Sequence, residues 1–566
     1  MQTTQKVIYN AKVYLERESF AEAVLIDGDS IAAAGSNTDI LDAAPAGTER
    51  IDAQGKLLLP GFQDSHIHFY HTGLKDRSLD CRGTKSIEDL IRRGRKLLEG
   101  QKPRPGELIF GTGLDQEEFS GSKDYPTRYD LDRISTDHPV IIDRVCGHLF
   151  FCNSKALEMA GIADGAPDVE GGEVGRDSSG KPNGLLGENA IALIRGIIPS
   201  PAPRELCRNI ERAMDMAVQN GLTSVAVFDI EGIDYDSVVN AYRSILRERE
   251  NCPRITLQCG LNGEAKQLDE YIRRGLFTGM PLHDPDGPAS AGQYLKIGPV
   301  KFFADGSLGS RTAWLRRPYH DKPDTRGIAV LETGELRALV KKAAENRFQV
   351  VIHAIGDGAM DAVLSAYERV TSPMAVTSLA AASTGTGGGN PLRHGIVHCQ
   401  IADNGLLERM KQNGILALVQ PVFLCHDYRI VENRVGKELA ATSYAWGAME
   451  RLGIRCAYGT DSPVEDINPL LGIEWAVRRT GEGAELPPEG FFPEQRVDMY
   501  SAVDNYTAGT AYSNFDENRT GRIRPGYLAD MILLDRDIFT VPPAEIGKSR
   551  VLLTMIGGKT AFTQIS

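Results

Sequence analysis

Residues 60–68 read Pro60-Gly61-Phe62-Gln63-Asp64-Ser65-His66-Ile67-His68, and the interpretation of the chain starts from them. The stretch overlaps the end of an apolar run, 57–61, that is typical of a buried strand. In an extended chain, residues i and i+2 point to the same side, so His66 and His68 can offer two imidazoles to one metal ion. A single His-x-His pair can also arise by chance in a chain with 11 histidines.

Outward from this stretch, short apolar runs alternate with helical patterns such as 333–347, which is typical of parallel α/β folds. We count eight runs that resemble buried strands, the number that a (β/α)8 TIM-like barrel needs. Two further runs, 107–111 and 138–145, are assigned to an insertion at about 80–200, between the first and second barrel strands. The predicted barrel strands are 57–61, 223–228, 254–259, 295–303, 349–353, 393–398, 414–420 and 454–458.

Both ends of the chain carry short alternating apolar and polar runs separated by turn signals such as Asp27-Gly28-Asp29. We therefore predict that residues 1–56 and 516–566 together form a small accessory β-sandwich. The α/β barrel then occupies residues 57–515.

The composition narrows the class of protein. The 566 residues include 63 Lys and Arg against 76 Asp and Glu, for a net charge of −13, and no basic block suggests a nucleic-acid partner.

Residues 1–9 lack an apolar signal core, and the longest apolar run is interrupted by Gln420 and Pro421, so we expect neither secretion nor membrane spanning. The nine cysteines include no CxxC pair, which indicates free thiols in the cytoplasm. The sequence does not settle the oligomeric state, and a homodimer is one of the states that it allows.

Residues that can bind metal follow several of the predicted strands. Lys301 lies near the end of the fourth strand, His353 ends the fifth, His398 ends the sixth, and Asp461 follows the eighth. The carboxyl ends of barrel strands meet on one face, where the active sites of such barrels lie. Alternatively, His353 is a hydrogen-bonded core histidine and Asp461 caps a helix ahead of Pro463.

Lys301 needs a chemical argument of its own, because an ammonium group repels a cation. A buried lysine can lose its proton, and a neutral amine can add carbon dioxide to become an anionic carbamate. Such a carbamate can bridge two metal ions. The alternative is an ordinary ion pair of Lys301 with Asp305 or with a substrate carboxylate.

The chain resembles the amidohydrolase superfamily, and within it the branch that contains YtcJ-like proteins and N-substituted formamide deformylases. The resemblance extends over nearly the whole chain in the order of the family. Its segments are PGFQDSHIHF (60–69), RVCGH (144–148), NSKAL (153–157), VKFFADGSLGSR (300–311), HAIGD (353–357), 394–400, GTDSPV (459–464) and GRIRPGYLAD (521–530).

The resemblance implies a metal-dependent hydrolase with one or two divalent ions per chain, zinc being the expected metal. One histidine pair would bind each ion, carboxylated Lys301 would lie between the ions, and Asp461 would lie beside the nucleophilic water as ligand and proton acceptor. The chain departs from the family at Val397, where a glutamate usually precedes the sixth-strand histidine. The implied ligands are His66, His68, Lys301, His353, His398 and Asp461.

The pocket residues are expected from the same segments. His148 would polarise a substrate carbonyl, although it could equally be a structural hydrogen-bond donor. Loops on the catalytic face carry specificity. The expected substrate contacts are therefore Arg144, Asp305, Arg311 and Trp314.

The expected reaction is hydrolysis of a small-molecule C–N bond outside peptides, in an amide, formamide or cyclic amide. A mononuclear deaminase-like or ester-cleaving member of the superfamily is the alternative among enzymes. A non-enzymatic scaffold that keeps the barrel is the alternative from another class, although such a scaffold would be expected to lack some of the ligands.

Overall fold

Eight parallel strands form a nearly closed barrel, as predicted. The computed structural model describes residues 5–565 apart from 75–78, 146, 163, 167, 199, 262–264, 285–292, 372–388 and 482. Each barrel strand pairs with the next along the chain, and the Ser65 hydroxyl of the first donates to the Ala457 carbonyl of the eighth at 3.3 Å. The strands are Phe62–Ile67, Leu222–Val227, Arg254–Gly260, Leu295–Phe303, Val350–Ala354, Gly395–His398, Leu416–Val419 and Cys456–Tyr458.

Seven of the eight predicted strands overlap barrel strands. The run 57–61 also forms a strand, but its assignment to the barrel is wrong. Leu57–Pro60 belongs to an accessory sheet, where it pairs with Lys12–Glu16 and Met531–Leu534. The true first strand, Phe62–Ile67, is fully buried but carries polar side chains, so an apolar pattern does not reveal it. The chain passes from one sheet to the other at Gly61, where a Cβ would approach the Thr223 side chain to 2.2 Å.

Two further sheets are built from the ends of the chain. One has six strands and combines both ends, and the other has four strands from the amino-terminal part. Ile8 and Val24 of the smaller sheet share a buried cluster with Leu58, Met531 and Met555 of the larger one. A self-standing β-sandwich with the predicted boundaries remains a prediction. The larger sheet contains Lys12–Glu16, Ser19–Ala21, Leu57–Pro60, Met531–Leu534, Val551–Ile556 and Lys559–Thr563; the smaller contains Gln5–Tyr9, Ala23–Asp27, Ser30–Gly35 and Glu49–Asp52.

A third sheet outside the barrel, also of six strands, lies in the sequence between the first and second barrel strands. The two runs assigned to the insertion form neighbouring parallel strands there, Ile109–Leu114 and Val140–Arg144. The remaining strands of this sheet are Leu79–Asp80, Leu149–Cys152, Gly172–Arg176 and Pro182–Glu188.

Helices surround the barrel strands and connect the sheets. In the helix Thr333–Glu345 the apolar residues Leu336, Leu339, Val340 and Ala343 are buried, as its periodicity predicts. Among the described residues, no helix has both the length and the apolarity needed to cross a bilayer. The other α-helices in the described part of the chain are Asn37–Ala43, Phe69–Leu74, Ile87–Gln101, Arg128–Asp132, Ser154–Met159, Ala192–Arg195, Pro203–Gln219, Tyr235–Glu248, Ala265–Arg273, Asp357–Thr371, Asn404–Gln412, Leu424–Asp427, Val431–Val435, Lys437–Ala441, Trp446–Leu452, Pro469–Arg478, Met499–Asp504 and Thr510–Ser513.

Candidate active site

The barrel brings the predicted metal ligands together at the carboxyl ends of its strands. The ring centroids of His66 and His68 lie 5.3 Å apart, those of His353 and His398 lie 4.5 Å apart, and those of His66 and His398 lie 6.2 Å apart. Asp461 Oδ1 lies 3.1 Å from His68 Nε2 and 3.4 Å from His66 Nε2. The atoms of His66, His68 and Asp461 are therefore close enough to share one ion.

Asp461 does not cap a helix, contrary to the alternative considered for it. The next helix, Pro469–Arg478, is capped by the Asn468 side chain. The Asp461 backbone N–H donates to the His66 carbonyl at 2.9 Å, which holds the residue beside the first barrel strand. Its Oδ1 is buried and accepts no hydrogen bond from the described residues. The carboxylate is thus positioned for a task other than capping.

Two glutamines orient the imidazoles. His66 Nδ1 donates to Gln258 Oε1 at 2.8 Å, and His398 Nδ1 donates to Gln420 Oε1 at 2.8 Å. Because each Nδ1 carries the proton, each Nε2 keeps a lone pair for a metal ion. Val397, where the family usually has a glutamate, lies in an apolar cluster, and the support of His398 Nδ1 comes from Gln420. Both glutamines are functional residues that the sequence pattern did not identify.

Glu231 is a third residue that the sequence analysis missed. It follows the second barrel strand, and its Oε2 lies 3.5 Å from His68 Nδ1. Its Oε1 lies 3.7 Å from the Arg195 guanidinium. The signal that could have identified it is an acidic residue just beyond a barrel strand, the same signal that identified Asp461.

Burial keeps several of these imidazoles neutral. It lowers the pKa of His66 and His353 well below the ordinary value, and it lowers the pKa of His398 to about 4. The neutral imidazole is the form that binds a metal ion. For Asp461, burial alone would raise the pKa, but the adjacent His66 and His68 outweigh burial and lower it.

Lys301 is fully buried, and its amine has no hydrogen-bond partner among the described residues. Nζ lies 3.8 Å from the centroid of the Phe303 ring and 5.0 Å from that of Phe228. Burial lowers the pKa of Lys301 to about 8, so the neutral amine that reacts with carbon dioxide is accessible. A buried polar group without a partner is costly, and a carbamate held by metal ions would remove that cost. The donor set therefore fits divalent metal.

The insertion contributes His148 to the same face. Its ring centroid lies 4.8 Å from that of His353, and its Nδ1 is 2.8 Å from Glu188 Oε2. The buried Arg144 donates to Gln116 Oε1 at 2.9 Å and to Asp115 Oδ1 at 3.0 Å. These bonds orient Arg144 within the insertion, and its contact with substrate stays a prediction.

Asp305 organises the loops beside the site. Its carboxylate accepts hydrogen bonds from the backbone N–H groups of Trp314 at 2.8 Å, Ile355 at 3.0 Å and Gly356 at 2.8 Å. The side chain is fully buried, so this geometry favours a positioning role. Arg311 binds Asp321 at 2.9 Å, and Trp314 is partly buried against the barrel core. Substrate contact by Asp305, Arg311 and Trp314 stays a prediction.

Comparison with known proteins agrees with this geometry. The amidohydrolase family matches residues 49–562. The chain is 32% identical to YtcJ of Bacillus subtilis over 97% of both chains, and 28% identical to the N-substituted formamide deformylase of Arthrobacter pascens over 97% of this chain and 96% of that one. A solved structure of an uncharacterized metal-dependent hydrolase from Pyrococcus horikoshii aligns with a TM-score of 0.73 at 28% identity, covering 95% of this chain and 99% of that one. The chain therefore belongs to the amidohydrolase family.

Proposed function

We propose that this protein is a metal-dependent hydrolase of a C–N bond outside peptides, in an amide, formamide or cyclic amide of a small molecule. The observation that carries the proposal is Lys301, a buried amine that has no hydrogen-bond partner among the described residues. It lies at the barrel mouth with four histidines and an aspartate. His66 and His68 would hold one divalent ion, His353 and His398 a second, and carbamylated Lys301 would lie between them. Zinc suits these nitrogen and oxygen donors.

When bound, the metal supplies Lewis acidity, which polarises a carbonyl and lowers the pKa of water from about 15.7 towards 7. The residues of the chain supply the proton transfers. Asp461 accepts a proton from the attacking water at Oδ1, the oxygen that accepts no hydrogen bond from the described residues, and then delivers it to the leaving nitrogen. The products are a carboxylate and an amine.

His148 would act on the carbonyl oxygen. The insertion places its ring beside His353, and Glu188 at Nδ1 fixes the orientation of the imidazole. An imidazole N–H held in this orientation would stabilise the oxygen on which negative charge develops in the transition state. The formamide class is supported by the similarity to the N-substituted formamide deformylase.

The experiment compares an N-alkylformamide, a cyclic amide and an ester of matched size, with released amine, carboxylate and alcohol as readouts. We expect C–N cleavage by the zinc-loaded protein, its loss on chelation and its return with zinc. His353→Ala should abolish turnover, whereas His320→Ala, which changes an exposed histidine, should retain it. Turnover of the ester alone, or of none of the three, would contradict the proposal.

The mononuclear alternative makes a different prediction for Lys301. If the lysine only pairs with a charged group, Lys301→Arg should keep most of the turnover. The proposed bridging carbamate requires a primary amine, so the arginine variant should be inactive.

A further inference from the structure

A second group of metal-binding side chains lies outside the candidate active site. Cys425, His426 and Glu465 each offer one possible ligand atom, and the three atoms lie within 4.8 Å of one another. His426 Nδ1 lies 2.9 Å from Cys425 Sγ and 2.7 Å from Glu465 Oε1. Cys425 Sγ lies 3.6 Å from Glu465 Oε2. We call these three residues the rim site; they share no member with the candidate active site.

Three separate segments of the chain meet at the rim site. Cys425 and His426 lie in the short helix Leu424–Asp427 after the seventh barrel strand, and Glu465 lies in the loop after the eighth. The other ring nitrogen of His426, Nε2, lies 3.5 Å from Oε1 of Glu118, which belongs to the insertion. A cavity of about 320 Å³ adjoins Cys425 and His426.

The contacts at His426 Nδ1 are not explained by hydrogen bonds alone. A ring nitrogen carries one proton or one lone pair, so it cannot make two good hydrogen bonds in different directions. A charged His426 between Glu465 and Glu118 accounts for both carboxylates, and the Cys425 thiol can donate to Glu465 Oε2 at 3.6 Å, but the 2.9 Å approach of Cys425 Sγ to Nδ1 is then a second contact on one N–H. A relay of Cys425, His426 and Glu118 would have one group at each ring nitrogen, but it would leave the closer contact of Glu465 Oε1 with Nδ1, at 2.7 Å, without a role. A cation between the three atoms satisfies all of them.

We propose that the rim site binds a divalent zinc ion through Cys425 Sγ, His426 Nδ1 and one carboxylate oxygen of Glu465. Thiolate, imidazole and carboxylate are the zinc ligands of proteins, and three of them leave a fourth position for water, which the adjoining cavity can hold. Glu118 then takes the usual place of a carboxylate that accepts the second N–H of a metal-bound histidine. The ion joins the loops after the seventh and eighth strands, and Glu118 extends the link to the insertion.

Cobalt(II) is the probe that distinguishes the rim site from the active site. The active-site candidates include no cysteine, so a near-ultraviolet thiolate-to-cobalt charge-transfer band reports the rim site alone. We expect this band in the full-length protein titrated with Co²⁺, and its displacement by Zn²⁺. Cys425→Ser should abolish the band and lower the bound zinc by one ion per chain. Cys207→Ser, which changes a partly buried thiol in the helix Pro203–Gln219, should keep both.

Glu118→Gln tests the geometry in a protein that keeps all three ligands. It should retain the charge-transfer band but weaken Co²⁺ binding about 10–100-fold, the effect typical of losing a carboxylate behind a metal-bound histidine. Unchanged melting temperatures would show that the variants fold. Absence of the band in the wild-type protein at saturating Co²⁺, or its persistence in Cys425→Ser, would overturn the proposal and leave a charged histidine between two glutamates.

Discussion

The sharpest test of the proposed mechanism is Asp461→Asn. Asp461 has a backbone φ of +57°, a conformation that asparagine adopts more readily than most residues. The backbone N–H that donates to the His66 carbonyl is unchanged by the substitution. The side chain caps no helix, and the amide loses the attraction to His66 and His68 but also the cost of burying a charge. We therefore expect the free energy of unfolding to change by about 1 kcal/mol or less, the range of a weak local effect.

The effect on turnover should be much larger. An amide retains the shape of the carboxylate and one weak oxygen ligand, but it cannot accept the proton that we assign to Oδ1. Loss of a general base typically lowers kcat about 10²–10⁴-fold, which raises the activation barrier by about 2.7–5.4 kcal/mol. Bound metal should stay near the wild-type level, because the imidazoles and Lys301 remain.

The assay measures kcat, metal content and melting temperature on one preparation of the variant. Asp466→Asn is the matched control, because Asp466 is exposed in the same loop and should keep wild-type turnover. Near-normal kcat in Asp461→Asn would refute the proton-transfer role. Loss of stoichiometric metal together with activity would show instead that Asp461 acts chiefly as a ligand.

Three further predictions follow from the same geometry. His66→Ala and His68→Ala should each remove most active-site metal, measured by mass spectrometry in a Cys425→Ser background, and full metal with wild-type turnover would contradict the ligand assignment. Lys301→Ala should be inactive, with partial rescue by short carboxylic acids and bicarbonate, and ¹³C-bicarbonate should give a carbamate NMR signal in the wild type but not in the variant. Truncation after residue 515 should give insoluble protein, because it removes Met531–Leu534, the partner of Leu57–Pro60; a soluble, monodisperse and active product would refute this.

The barrel and the ligand positions could be predicted because both depend on local patterns. A strand buried on both faces is typically rich in apolar residues, and seven barrel strands are apolar enough to be recognised, although some also carry polar residues such as Gln258 and Lys301. Once the strands are counted, the histidines, Lys301 and Asp461 fall at strand ends, and closure of the barrel brings them together. The first strand could not be recognised in this way because it carries buried polar residues in place of apolar ones. These residues are Gln63, Asp64, Ser65 and His66.

The residues that orient the ligands could not be predicted, because their roles depend on register between strands. Val397 pairs with Leu418 of the neighbouring strand, and both side chains lie in the same apolar cluster. A glutamate at 397 would be buried among those apolar groups, at a high cost in desolvation. Gln420, just beyond the end of the neighbouring strand, reaches His398 Nδ1 instead. A neutral amide supports the imidazole there without burying a charge, and it leaves His398 Nε2 with the lone pair that a metal ion would take.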